Sequence, residues 1–147
     1  MPAWVTAGFD EYAKRMPREM PLSLREIKPA PRGSGASGDV TRWLGMEAAR
    51  LHDAVPAGAL RVVLDERGRS FPTRDLARHL GRWRDESRDV AFVIGGADGL
   101  AQGMKDGADL LWSLSPLTLP HGLARVILAE QIYRAASILF NHPYHRE

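Results

Sequence analysis

The sequence predicts an α/β fold, built on a mostly parallel sheet with helices covering both faces. Two observations lead there. Short β-branched runs, Leu60 to Asp65 and Val90 to Ile94, alternate along the chain with stretches whose apolar residues recur at helix spacing. Each run then empties into residues suited to turns, and sheets of this kind bind ligands beyond the carboxyl ends of their strands.

Taken in order, Trp4, Val5, Phe9, Tyr12 and Ala13 recur at helix spacing, so a helix runs from near Pro2 to Arg15, and Pro17 and Pro21 end it. Leu22 to Ile27 alternates at period two and reads as a half-buried strand. Lys28 to Gly38 is rich in Pro, Gly and Ser and reads as a mobile loop. Asp39 caps a helix that places Val40, Trp43, Leu44, Ala48 and Leu51 on one face, and Pro56 and Gly58 close that unit.

Leu60 to Asp65 is a buried strand, with Glu66 to Ser70 as the turn after it. Thr73 then caps a helix with Leu76, Leu80 and Trp83 inward and Arg74, Arg78, Arg82 and Arg84 outward. Val90 to Ile94 is the most strand-like run and leads into Gly95-Gly96. A short helical stretch, a strand over Leu110 to Ser115 and a loop over Pro116 to Pro120 follow. His121 to Phe140 is the longest helix, with Leu123, Val126, Ile127, Ile132, Ala135, Ile138 and Leu139 inward, and Asn141 to Glu147 is a short polar tail.

At 147 residues the chain reads as one domain. It is 44% hydrophobic and 26% charged, and no apolar stretch is long enough to span a bilayer. Cysteine is absent and no secretory leader is evident, so disulfide and thiolate chemistry are excluded and a cytoplasmic location is expected. The formal charge is +2 and the pI about 9.3. Only Lys14, Lys28 and Lys105 among the 20 cations are lysines; the other 17 are arginines. Arginine's planar fork suits phosphates and bases, but a GC-rich coding bias gives the same composition, so RNA is permitted rather than required.

Three strand ends invite inspection: Leu64-Asp65, Gly95-Gly96 and Ser113-Leu114-Ser115. Adjacent glycines serve either a tight turn or a close approach of backbone to ligand, and this pair fits neither a P-loop nor GxGxxG spacing. Over Trp112 to His121 a strand runs into a loop bounded by prolines, with hydroxyls and leucines interleaved, and then starts a helix. The loop is either a plain connection or a stiff slot for an adenine. The tail packs two His, a Tyr, an Arg and a carboxylate into seven residues, groups that bind RNA or move protons. Two histidines without cysteine give no zinc signal, and no Ser/His/Asp spacing points to a hydrolase.

Together these segments resemble the RlmH family of SPOUT methyltransferases, the α/β-knot proteins. The residues that carry the resemblance are Val93 to Leu100, Trp112 to His121, Leu128 to Ala135 and Asn141 to Glu147, in the family's order and spacing. The resemblance implies a C-terminal trefoil knot, a homodimer and bound S-adenosylmethionine. Its activity would be methylation of N3 of pseudouridine 1915 in the 23S rRNA of the assembled ribosome. Carried over by position, the cofactor contacts are Leu64, Gly96, Ser115, Pro116, Leu117, Thr118, Leu119 and Pro120. Members of the family carry a further β-strand ahead of the segment matching Met1 to Trp4, so the expectation is either a sheet lacking the family's first strand or a translation start upstream of Met1.

A sulfonium methyl is already activated, which leaves alignment of the nucleophile as the main task. The imide proton at N3 must also leave. His142, His145 and Glu147 are the candidate bases, with Glu130 disfavoured because Arg134 lies one turn on and pairs with it. Tyr144, His145 and Arg146 are expected to position RNA over the partner's cofactor, with Lys28, Arg32 and Arg134 as phosphate contacts. No metal and no membrane enter this reading. A SPOUT enzyme acting on another RNA, or an RNA-binding protein without catalysis, are the alternatives.

Overall fold

The structure is a computed structural model that describes residues 1–28, 40–96 and 99–146. Among them three strands form one parallel sheet: β1 (Leu60–Arg69), β2 (Val90–Val93) and β3 (Leu110–Trp112), in the order β2-β1-β3. The helices are α1 (Ala3–Ala13), α2 (Val40–Ala54), α3 (Thr73–Asp85), α4 (Gln102–Asp106) and α5 (His121–Leu139).

The central strand explains the layering. Successive side chains of a strand point to opposite faces. Val62 joins Leu76, Leu80, Trp83, Trp112, Leu128 and Ile132 beneath α3 and α5, whereas Val63 packs with Val93 and Met104 beneath α2 and α4. Both valines are fully buried. α2 adds only partly buried side chains, Ala48 and Leu51, to the second cluster. α3 and α1 both lie against α5, so that helix buries more than one face: Leu128, Ala129, Ile132, Tyr133, Ala135 and Ala136 are all covered.

Several expectations need correction. Residues 21–28 form no strand. Leu22 packs against the core, but Leu24 stays exposed, and period-two spacing supplies faces without supplying the neighbour that a ladder needs. β1 does not turn at Glu66; it runs on to Arg69. It pairs with β3 at Val62 to Leu64, leaves the register over Asp65 to Gly68, and returns with Arg69 opposite Trp112. The Ser113 N–H donates to the Arg69 carbonyl at 2.9 Å. At Gly68 a Cβ would lie 2.7 Å from the Leu111 and Trp112 backbone, so only glycine allows this crossing.

β3 ends at Trp112 rather than Ser115. Thr73 is not the cap of α3. Pro72 occupies that position, and the Thr73 hydroxyl donates to Gln131 Oε1 on α5 at 2.7 Å. On α5, Leu123 is exposed rather than inward, and Arg125 is buried instead. The loop over Lys28 to Gly38 lies outside the described residues beyond Lys28, as does the expected cap Asp39.

Candidate functional site

All three strand ends singled out from the sequence open into one cavity of about 480 Å³. Leu64, Asp65, Glu66 and Arg67 line it from β1, Ile94, Gly95 and Gly96 from the end of β2, and Leu114, Ser115, Leu117, Thr118 and Leu119 from the loop before α5. Of the expected cofactor contacts, Leu64, Gly96, Ser115, Leu117, Thr118 and Leu119 lie on the wall; Pro116 and Pro120 frame the loop without lining it. Gly99, Leu100, Lys105, His121 and Ala124 complete the lining.

The walls are held by short-range chemistry. Gly96 and Gly99 form a bridge, with the Gly99 N–H donating to the Gly96 carbonyl at 3.0 Å and Gly99 at φ +81°. A Cβ on Gly95 would fall 2.8 Å from the Gly99 carbonyl carbon, whereas one on Gly96 would meet nothing within 4 Å among the described residues. Gly95 is therefore demanded by packing, and Gly96 faces open space. In the loop, the buried Ser113 hydroxyl donates to the Ser115 carbonyl at 2.8 Å, and the Ser115 hydroxyl accepts the Leu117 N–H at 3.0 Å. These are local serine turns that stiffen the segment. Thr118 donates to Glu66 Oε2 at 2.8 Å, tying this loop to the extended end of β1, and Lys105 lies 3.5 Å from Asp65.

A second constellation sits further along α5. Phe140 caps the helix, Asn141 adopts φ +58°, and the Asn141 and His142 N–H groups donate to Ile138 and Ser137 at 3.2 and 2.8 Å. That pairing is a Schellman ending, which turns the tail back along its own helix. Tyr144 lands 4.6 Å from Tyr133, ring to ring, and its hydroxyl donates to Glu130 Oε2 at 2.9 Å. Arg134 grips the same carboxylate through Nε and Nη2 at 3.0 and 2.7 Å and lies over the Tyr144 ring at 4.7 Å. His145 Nδ1 is 3.3 Å from Arg134 Nη1, and His142 packs against Tyr133. The expected Glu130–Arg134 pair is thus present, and it extends into the tail.

Burial pushes the Glu130 carboxyl up, but the hydrogen bonds from Arg134 and Tyr144 outweigh it and hold the group below the usual carboxylate range. Burial, reinforced by the neighbouring Glu130 carboxylate, pushes the Tyr144 phenol up to about 12. Tyr144 therefore stays a donor and makes a poor base. None of His142, Tyr144, His145 or Arg146 lines the cavity. Lys28 is exposed, its carbonyl accepts from Arg50 Nη1 at 2.7 Å, and it lines neither this cavity nor the tail cluster. Arg32 and Glu147 lie outside the described residues.

Sequence reasoning did not single out Glu66 or Lys105. Glu66 was hidden because β1 outruns its apolar segment, and Lys105 because α4 is a single short helical turn. His121 was already in view inside the loop pattern, though as the start of a helix. Among the described residues, no three metal-ligating side chains converge, and no helix is long and apolar enough to cross a membrane.

The family described as "Predicted SPOUT methyltransferase" matches residues 1–145. The chain is 55% identical over 146 residues to the Ribosomal RNA large subunit methyltransferase H of Burkholderia mallei (strain SAVP1), covering 99% of this chain and 92% of that one. The protein of the same name from Burkholderia multivorans (strain ATCC 17616 / 249) is 56% identical over the same shares, and that from Burkholderia pseudomallei (strain 668) 55%. With the glycine turn, the proline-bounded loop and the returning tail all inside the matched span, the chain belongs to the SPOUT methyltransferases and, among them, to the family of the ribosomal RNA large subunit methyltransferases H.

Proposed function

We propose that this protein is a cytoplasmic, homodimeric, S-adenosylmethionine-dependent methyltransferase acting on N3 of pseudouridine 1915 in the 23S rRNA of the assembled ribosome. The observation that carries this reading is the cavity itself, where the irregular stretch of β1 meets the segments that follow β2 and β3, and where among the described residues a Cβ on Gly96 would meet nothing within 4 Å.

The lining suits the cofactor. A volume of about 480 Å³ is ample for a nucleoside with an amino-acid arm. Leu64, Ile94, Leu100, Leu117 and Leu119 offer apolar surface to an adenine, while Asp65, Glu66 and Lys105 offer charge to hydroxyls and to a zwitterion. In this reading Leu64, Gly96 and Ser115 through Pro120 hold the cofactor. When bound, it supplies an activated methyl group.

The chain's own task is then to align a nucleobase and remove its N3 proton. The tail cluster supplies positioning groups: Arg134 and Arg146 for phosphates, with Lys28 and Arg32 as further contacts, and Tyr144 as a fixed donor. Because the Tyr144 phenol is held protonated, the proton acceptor is sought at His142, His145 or Glu147. From His121 to Glu130 is nine residues of helix, roughly 14 Å at 1.5 Å per residue. That separation within one chain supports a dimer in which each tail serves the partner's pocket.

Calorimetry with S-adenosylmethionine tests the pocket, and mass spectrometry of rRNA after incubation with ribosomes from a strain lacking the gene tests the substrate. Methyl transfer to a different RNA would redirect the reading. No cofactor binding would leave an RNA-binding protein without catalysis.

A further inference from the structure

His121 is the first residue of α5, immediately after the loop that ends at Pro120, and its ring reaches across to the other wall of the cavity. Nδ1 hydrogen-bonds the Gly95 carbonyl. A carbonyl only accepts, so Nδ1 carries the proton. Arg125, one turn further along, has Nη2 3.0 Å from His121 Nε2. A guanidinium only donates, so Nε2 keeps its lone pair, and the two contacts together specify the neutral Nδ1–H ring.

Arg125 is itself an unusual resident. Its side chain is 8% exposed, and Nη1 donates to Glu26 Oε1 at 2.6 Å, across 99 residues of sequence. Among the described residues its Nε finds no hydrogen-bond partner. A buried cation whose Nε lacks a partner is costly, and packing alone does not call for it. Its two satisfied contacts run from Glu26 on the irregular segment to His121 and on to Gly95.

We propose that His121 is a positioning residue for the cofactor pocket: with its tautomer set by Arg125, and Arg125 anchored by Glu26, it clamps the Gly95 carbonyl and so joins the glycine wall to the proline-bounded loop. This rests on the methyltransferase reading above. On its other side Gly95 packs so close to Gly99 that a Cβ would lie 2.8 Å from the Gly99 backbone, and the carbonyl clamp holds the neighbouring Gly96 backbone that faces the cavity.

The test compares three variants by calorimetry with S-adenosylmethionine. In His121→Asn the side-chain amide nitrogen sits where Nδ1 sat and still donates to Gly95. In His121→Gln the amide reaches instead toward Arg125, and Gly95 loses its donor. His121→Ala loses both. Cofactor affinity is expected to fall about tenfold in His121→Ala and His121→Gln, the scale of one well-placed hydrogen bond, and to stay within about threefold in His121→Asn. Should His121→Ala not fold, the Asn and Gln variants carry the comparison alone.

Equal losses in Asn and Gln would overturn the clamp and leave a general packing role. Equal retention in all variants, with the wild-type chain binding the cofactor, would overturn the clamp alone. A wild-type chain that does not bind the cofactor would overturn the methyltransferase reading, a result distinct from either.

Discussion

The Tyr144 hydroxyl donates to Glu130 Oε2 at 2.9 Å, closing the tail onto α5 across 14 residues of chain. That bond holds the tail against α5, with His145 Nδ1 3.3 Å from Arg134 Nη1. Replacing Tyr144 by Phe removes the donor but leaves Arg134 on the carboxylate. A loss of about 1 kcal/mol in urea unfolding is expected. Methyl transfer to ribosomes should drop at least tenfold while cofactor affinity is kept, and an unchanged transfer rate would remove the tail from the proposed mechanism.

The same phenol gives an alkaline signature. Its folded value, about 12, lies above the unfolded 10, so the folded state favours the protonated form. The associated stability is complete below pH 10 and is lost as pH rises toward 12. Glu130 has the opposite sign: its lowered value gives stability present above 4.5 and lost as pH falls through the folded value. Urea midpoints followed across the alkaline range should fall more steeply in the wild-type chain than in Tyr144→Phe.

Neighbouring glycines should answer differently to substitution. Gly96→Val adds a side chain where a Cβ meets nothing within 4 Å among the described residues, so the fold should survive. Calorimetry should show cofactor affinity reduced roughly a hundredfold, about 2.8 kcal/mol. Gly95→Ala presses a methyl to within 2.8 Å of Gly99 and should cost about 1–3 kcal/mol of stability. Identical behaviour of the two would contradict the geometry of the turn.

Asn141 holds φ +58° at the point where the tail reverses. Asn141→Gly should be nearly neutral, whereas Asn141→Val should cost about 1–3 kcal/mol. The valine chain should also lose protection of the tail amides in hydrogen exchange, because the reversal that carries Tyr144 back to Glu130 is strained.

If each tail serves the other subunit, two damaged chains can repair one another. Mixing Gly96→Val with Tyr144→Phe chains gives heterodimers with one pocket and one tail intact together. Statistical mixing should restore about a quarter of the sites. No recovery would place pocket and tail in the same chain.

The sequence revealed the parts whose physics is local. Val62, Val63 and Val93 announced buried strands, and Leu76, Leu80 and Trp83 announced the inner face of α3, because burial and period suffice there. The three segments that form the cavity were legible for the same reason, although β1 runs on past Leu64-Asp65 to Arg69. Leu22 to Ile27 misled, since alternation cannot say whether a neighbouring strand exists. Thr73 misled because its hydroxyl found Gln131, 58 residues away, in place of its own helix terminus. Leu123 was read inward, and the burial of Arg125 went unread, because α5 is gripped from two sides and a single-face rule fails for such a helix. The clustering of Glu130, Arg134 and Tyr144 depended on a reversal at Asn141 that composition does not disclose.

Val62 and Val63 stand next to each other and serve opposite halves of the interior. A one-codon deletion at Arg61 would slide both by a single step and exchange their sides, turning each apolar group toward the wrong partners at once. The middle strand therefore offers no slack for length variation, and surviving insertions or deletions in natural variants should fall outside it.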